Sequence, residues 1–378
     1  MTEEIHHFTK QTDTMKNTIT RLGCGLDISK DKFDVCFGVM LSDASFVIKG
    51  SRSFANKKAG INEFLVWLGK NHAKHNPTGE LPFQVVMETT GVYHEHVCLS
   101  LYEASWPVCV EVSSRVKRYL QSIGQYSKTD KLDAKGICRL ACERKVTLWR
   151  PFSPKTMAIR TAIRHRKSLI DNKNRLGNQL HALSHSANKD SNMAASIKRL
   201  VKAMDKEIAK IEEHIHELYE ADPVLKERLD AIVKSVKGLG LVTALTVVAE
   251  TNGFDLFQNA KQLVSYAGLD IIENASGNST RPTKISKRGN ARIRNALYMC
   301  ALTMGKYKDA PFAGFFSRIR AKNPKIYKIA NVAVQRKLLV LIYTLFKNNT
   351  SFDPAYNKQN IQISSSELNS ELREIAAA

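Results

Sequence analysis

Acidic residues are scarce where this chain is most basic. Between Glu273 and Asp353 the only acid is Asp309, against sixteen Lys and Arg. Over all 378 residues, 36 acids face 57 Lys and Arg, a formal charge of +21. Such an excess argues for a polyanionic partner, DNA or RNA ahead of a membrane surface. Long apolar runs are also missing. The longest, Leu338–Phe346, is flanked by Lys337 and Lys347 and falls far short of the ~20 residues of a spanning helix, so no membrane segment is expected. The first residues, MTEEIHHFTKQTD, hold early acids and no apolar run, and no secretory signal is read there. No Cys-x-x-Cys pair occurs among the seven cysteines. An odd, unpaired set points to free buried thiols in a reducing cytoplasm rather than to zinc or disulfides. The hydrophobic share of 43% is ordinary for a soluble protein, and the length suggests two or three domains.

Against that basic background, four acids stand out. Asp27 lies in GLDISKDKFDVCFGV, Glu88 in FQVVMETTGVY, and Asp130 and Asp133 in SKTDKLDAKGICRL. Asp27 follows an apolar strand and precedes a tight turn, and Glu88 ends the next clear buried strand. Asp130 and Asp133, at i and i+3, share one face of a helix. Gathered carboxylates repel one another unless a divalent cation, Mg²⁺ first, sits among them. Two such ions ~4 Å apart would stabilise both the attacking and the leaving oxygen of a phosphoryl displacement. Taken singly, each acid has a plainer reading: Asp130 as a helix cap, Glu88 as a strand-end surface residue. Asp31 and Asp34 read as surface or turn residues.

The order of elements supports the joint reading. Residues 1–20 are polar and expected to be disordered. Cys24–Ile28 and Phe33–Met40 form a hairpin around a Ser29–Lys32 turn, with a third strand over Ser45–Phe54. A helix over Ala59–Lys70, a strand over Phe83–Met87, a helix over Val92–Glu103, a strand over Val108–Val112 and a helix over Asp130–Arg144 follow. The expected fold over 21–150 is an α/β domain with an RNase H-like sheet. From 151 to 229 strand signals vanish. Val201, Met204, Ile208, Ile211, Ile215 and Leu218 make an a/d seam, and a preceding helix over Thr156–Leu183 offers Ile163, Ile170, Leu176, Leu180 and Leu183. A turn at His185–Asn192 would fold the two into an α-helical coiled-coil linker, pairing with its own chain or with another.

The third region, 230–350, reads as mostly α-helical, with a loose tail over 351–378. Lys237, Gly238 and Gly240 in SVKGLGLVTALTVVAE resemble the turn of a helix-hairpin-helix, where glycines let backbone N–H groups approach a phosphate. Farther on, an Asn-, Ser- and Gly-rich loop runs into a basic helix, and Arg281, Lys284, Lys287, Arg288, Arg292 and Arg294 are nucleic-acid-binding candidates. Ser276, beside Gly277 and ahead of these cations, is placed to act on a phosphodiester. Ser265, Ser279 and Ser286 compete with it, and spacing alone selects none.

GLDISKDKFDV, METTGVY and KTDKLDAKGI resemble the DEDD set of the IS-one-ten family of bacterial insertion-sequence transposases. VKGLGLVTALTVVAE, FDLFQNAKQLVSYAGL and SGNSTRPTKISKRGNARIRNALYMCAL resemble that family's C-terminal transposase domain. The resemblance covers most of residues 21–345, with the motifs in order. It implies a RuvC-like N-terminal domain, a coiled coil that builds homodimers or homotetramers, and a helical transposase domain carrying a nucleophilic serine. The four acids map onto Asp27, Glu88, Asp130 and Asp133, and the serine onto Ser276. The resemblance further implies a bacterial, nucleoid-associated recombinase that links covalently to DNA through serine. A structured bridge RNA would serve as guide by pairing with donor and target DNA. Two alternatives remain: a RuvC-like structure-specific nuclease using activated water, and a non-catalytic DNA- or RNA-binding protein.

Overall fold

The structure is a computed structural model that describes residues 17–127, 129–276, 279–307, 311–322 and 327–354, with backbone only for 273–276 and 279–283. The chain divides into two compact units, one ending at Pro151 and the other beginning at Phe152. The expected loose tails fall largely outside the described residues.

The first unit is built on a five-stranded sheet. Its strands are β1 (Ile19–Ile28), β2 (Lys32–Leu41), β3 (Phe46–Ala55), β4 (Phe83–Glu88) and β5 (Val108–Glu111), in the order β3-β2-β1-β4-β5. β1 pairs antiparallel with β2 and parallel with β4, and β4 pairs parallel with β5. The Ser29–Lys32 turn forms as expected, closed by Ser29 N–H and Oγ donating to the Lys32 carbonyl at 2.9 and 2.7 Å. Alternation sends Leu22, Cys24 and Leu26 of β1, with Phe33, Val35 and Phe37 of β2, to one face. There they pack on α1 (Lys58–His75) through Ile61, Phe64 and Leu68, and on α2 (Glu95–Glu103) through Val97, Cys98 and Leu101. The other face carries α3 (Ser113–Ser122) and α4 (Asp130–Glu143), through Val116, Tyr119, Ile137, Leu140 and Ala141. α3 is an addition to the sequence reading: SSRVKRYLQS offers apolar side chains only at Val116, Tyr119 and Leu120.

Two glycines let α4 lie directly on β1. A Cβ at Gly25 would stand 2.1 Å from the Cys138 nitrogen and 2.5 Å from the Ala134 oxygen. One at Gly23 would meet the Ala141 Cβ at 2.8 Å. Hence α4 runs with its N-terminal turn toward the end of β1 that carries Asp27. The seven cysteines are all free thiols, six of them buried.

The second unit opens with α5 (Pro154–His185) and α6 (Ser191–Glu220), which pack as a helical hairpin. Ser153 caps α5 with Pro154 in its first turn, and Asp190 caps α6. Ile208 and Ile215 of the expected seam are buried, whereas Val201, Met204, Ile211 and Leu218 are half-buried. At the hairpin's base, Ile159, Ala162, Ile163, Ile215 and Tyr219 join one core with α7 (Pro223–Ser235), α8 (Leu241–Glu250), α9 (Ala260–Tyr266), α10 (Ala291–Lys306), α11 (Ala313–Lys322) and α12 (Tyr327–Asn348). α12 is longer than its apolar run suggests. At 22 residues and a mean hydropathy of 1.4 it meets the length and composition of a membrane span. Its Ala330, Val334, Leu338, Leu339 and Ile342 are nevertheless buried in the core.

The segment read as a loop around Ser276 is a β-hairpin instead. β6 (Ile271–Ser276) pairs antiparallel with β7 (Ser279–Ile285), Ser276 opposite Ser279. Pro282 and the Asn/Ser/Gly composition masked the pairing. The legible signal was Gly277-Asn278, a two-residue tight-turn composition between segments rich in Ile and Thr.

Candidate active site

Strand register lines the acids up. Asp27 pairs with Asp34 across β1 and β2. The parallel register of β1 and β4 reaches Leu26 opposite Met87, which sets Asp27 level with Glu88 one step on. Glu88 in turn pairs with Glu111 of β5. Because side chains alternate, Asp27 shares the face of Gly25, Glu88 that of Val86, Glu111 that of Cys109 and Asp34 that of Cys36. That is the α4 face. Four carboxylates therefore cross the sheet in one row, at the carboxyl ends of β1, β4 and β5, where open α/β sheets place their ligands.

α4 brings in the other two acids. Thr129 caps it, its hydroxyl accepting from the Leu132 N–H at 3.3 Å. Asp130 and Asp133 fall in the first turn. Gln125 donates to Asp133 Oδ1 at 3.1 Å. Lys32 Nζ stands 3.2 Å from Asp130 Oδ2 and 3.1 Å from Asp34 Oδ2. The Asp34 hydrogen bond, followed by that of Asp130, holds the Lys32 ammonium above its ordinary pKa. Asp34 corrects the surface-or-turn reading: it is 3% exposed, with Ser53 donating to its Oδ1. Glu111 stands 3.5 Å from Arg115.

Among the described residues, no three carboxylate, imidazole or thiol side chains close into a metal cage. The acids of α4 rest instead on Lys32 and Gln125. The chemistry of the donor set still fits a divalent cation: its members are hard carboxylate oxygens, and the Lys32 ammonium already stands against one of them, Asp130.

Asn56 stitches the loops beside the row, its amide donating to the Ser29 carbonyl at 2.9 Å and the Tyr93 carbonyl at 3.0 Å. Asn56→Ala should cost about 1–3 kcal/mol. Hydrogen exchange is expected to quicken in the β1–β2 turn and in the loop after β4, and nowhere else.

In the second unit, the basic candidates divide. Lys284, Lys287 and Arg288 are exposed, and the Arg281 side chain lies outside those described. Arg294 turns inward, donating to the Ala267 carbonyl at 2.8 Å. Arg292 is exposed and lies 3.9 Å from Glu250. Glu250, missed in the sequence, is 1% exposed. It receives Arg164 through Nε and Nη2 at 2.7 and 2.8 Å, Arg160 at 3.5 Å and the Asn290 amide at 2.8 Å. Asn290 also caps α10. Gly289 packs so closely that a Cβ would stand 2.2 Å from the Tyr266 oxygen. In the α7–α8 turn, Lys237, Gly238 and Gly240 are exposed, and Gly238 takes φ +93. Among the serines, Ser286 donates to Asp270 and Ser265 is exposed, while Ser276 ends β6 and Ser279 begins β7 with side chains outside those described.

Two family profiles match the chain. The DEDD-type transposase profile covers residues 24–186, and the one described as Transposase IS116/IS110/IS902 family covers 230–316. The pilin gene-inverting proteins of Moraxella bovis and Moraxella lacunata are each 26% identical over 334 residues, 87% of this chain and 97% of theirs. The transposase for insertion sequence element IS1111A of Coxiella burnetii is 25% identical over 236 residues, 56% of this chain and 63% of its own. A solved Ppx/GppA-family structure from Aquifex aeolicus aligns with 92% of the chain at 10% identity, with a TM-score of 0.22, too loose a superposition to equate the folds.

Proposed function

We propose, from the two insertion-sequence transposase profiles that the chain matches, that it is a transposase of the IS110/IS116/IS902 family that cuts and rejoins DNA. The acidic site is Asp27, Glu88, Asp130 and Asp133, and Ser276 is the nucleophile. The observation that carries this reading is the convergence of those four acids on one end of one sheet face, in a chain of charge +21. The strand order β3-β2-β1-β4-β5, antiparallel then parallel, supports an RNase H-like sheet. DEDD-type transposase domains generally use divalent ions such as Mg²⁺, which would supply charge neutralisation at the scissile phosphate.

The residues divide the work. The acids would hold a divalent cation that neutralises charge at the phosphodiester, and the Ser276 hydroxyl attacks phosphorus. Its oxygen–phosphorus bond forms as the bond from phosphorus to one deoxyribose oxygen breaks; the serine proton passes to solvent, the freed deoxyribose oxygen takes one up as a hydroxyl, and the phosphoserine ester conserves the bond energy for rejoining. Exposed Lys284, Lys287 and Arg288, with Arg281 and Arg292, would hold the backbone. Lys237 and the glycines of the α7–α8 turn would approach a second phosphate. Tyr93 and Tyr126, exposed in the loops after Glu88 and before Asp130, offer rings on which unpaired bases stack. A guide RNA would account for part of the excess positive charge, with base pairing reading sequence while the protein reads backbone. The half-buried α5–α6 seam suits pairing with a second copy.

Gene inversion, the activity named for the Moraxella relatives, conserves the number of phosphodiester bonds. Strand exchange therefore fits better than hydrolysis by activated water. The test is a DNA adduct that survives denaturation, formed with a divalent cation, absent in Ser276→Ala and absent in Asp27→Ala. Hydrolytic cleavage by Ser276→Ala at the wild-type rate would establish the nuclease instead. Mixing the two inactive variants asks whether acids and serine act from different protomers, with recovered activity the expected result.

A further inference from the structure

Lys32 holds a position that neither the family match nor the DEDD set explains. It starts β2, and its ammonium bridges two carboxylates of unequal kind. Asp34 is buried, its side chain 4% exposed, and accepts from Ser53 on its other oxygen. Asp130 is 55% exposed at the start of α4. A buried carboxylate that loses its cation is strongly destabilised, whereas an exposed pair is readily exchanged. The two halves of the bridge are therefore not equivalent: Lys32 is anchored on Asp34 and replaceable at Asp130. The anchoring is reinforced by the turn, since Ser29 fixes the Lys32 carbonyl twice.

We propose that Lys32 is a tethered counter-cation of the acidic site, a positioning residue that holds Asp130 in the cation-free protein and competes with the divalent ion for it. This rests on the reading of Asp27, Glu88, Asp130 and Asp133 as the cation site. The bridge keeps α4's first turn against the β1–β2 turn, through Asp130 on one side and Asp34 on the other. Binding of a divalent ion at Asp130 transfers that carboxylate from the ammonium to the ion, and Lys32 remains on Asp34. Asp34 thus serves as the parking place of the lysine, although it stands level with Asp27.

The test is Mn²⁺ binding by calorimetry to the full chain without DNA, for wild type, Lys32→Met, Lys32→Gln and Lys32→Arg. Thermal melts confirm that each variant is folded. Removing the competitor should tighten Mn²⁺ binding about two- to fivefold in Lys32→Met and Lys32→Gln, the range set by the worth of an exposed ion pair. Lys32→Arg, which keeps the charge, should return to the wild-type affinity. Unchanged or weaker binding in Lys32→Met and Lys32→Gln would overturn the proposal while leaving the cation site intact. So would Lys32→Arg binding as tightly as Lys32→Met, because charge would then not be the cause. Absence of Mn²⁺ binding in the wild type would remove the acidic-site reading itself, and this inference with it.

Discussion

Gly25→Ala is expected to lift α4 from the sheet and carry Asp130 and Asp133 away from Asp27. The added methyl would lie 2.1 Å from the Cys138 nitrogen and 2.5 Å from the Ala134 oxygen. Both obstacles are backbone atoms inside a hydrogen-bonded helix, so no side chain can rotate aside. Overpacking where neighbours yield costs about 1–3 kcal/mol, and here the upper end is the starting point. Near 3 kcal/mol, a unit of this size should melt roughly 6–12 °C lower. An ångström of misplacement at the acids should cost about a hundredfold in strand cleavage. Gly69→Ala is the internal control. Gly69 lies within α1 with nothing inside 4 Å of its would-be Cβ. That substitution should stabilise by about 0.5–1 kcal/mol, with cleavage unchanged. Equal melting temperatures for Gly25→Ala and wild type would refute the close approach of α4 to β1.

Glu250→Ala is expected to be the most destabilising substitution in the second unit. Glu250 is a buried carboxylate serving Arg164, Arg160 and Asn290. Deleting one partner of a buried ion pair costs about 3–5 kcal/mol, because the opposite charges stay behind uncompensated. The site also has a pH signature. Burial pushes the Glu250 carboxyl up, but Arg164, Asn290 and Arg160 outweigh it and leave it below the ordinary carboxylate value. A group depressed in the folded state stabilises above its unfolded pKa, about 4.3, and loses that contribution as pH falls through the folded pKa. Thermal melts of wild type should therefore drop from pH 5 downward by more than those of Glu250→Gln. Parallel curves would show that the carboxylate does not titrate with folding.

Legibility in the sequence followed the physics of each element. The β1–β2 hairpin, β4, α4 and the α5–α6 pair were readable because apolar periodicity is local. Asp34 was misread as peripheral, although the means to place it were present. A turn at Ser29–Lys32 puts Ile28 opposite Phe33, and one step back sets Asp34 beside Asp27. Glu111 needed the pairing of β4 with β5, which joins residues more than twenty positions apart, and no periodicity encodes that. Glu250 was hidden in an apolar helix, LVTALTVVAE, whose last residue looks like an ordinary end charge until Arg160 and Arg164 arrive from ninety and eighty-six positions away. The β6–β7 hairpin was lost to composition, because Asn, Ser, Gly and Pro282 obscured the Ile and Thr of its two strands.

The Glu250 knot makes a joint of two distant pieces of the chain. Arg160 and Arg164 lie near the start of a 32-residue helix, a rod of roughly 48 Å. Asn290, gripped by the same carboxylate, begins α10 just past Lys287 and Arg288. The long hairpin is thus pinned near its base, through one carboxylate, to the cap of the basic helix. Its far tip, around Ser186–Asp190, stands at the opposite end of that rod from the loop between β7 and α10 that presents those cations.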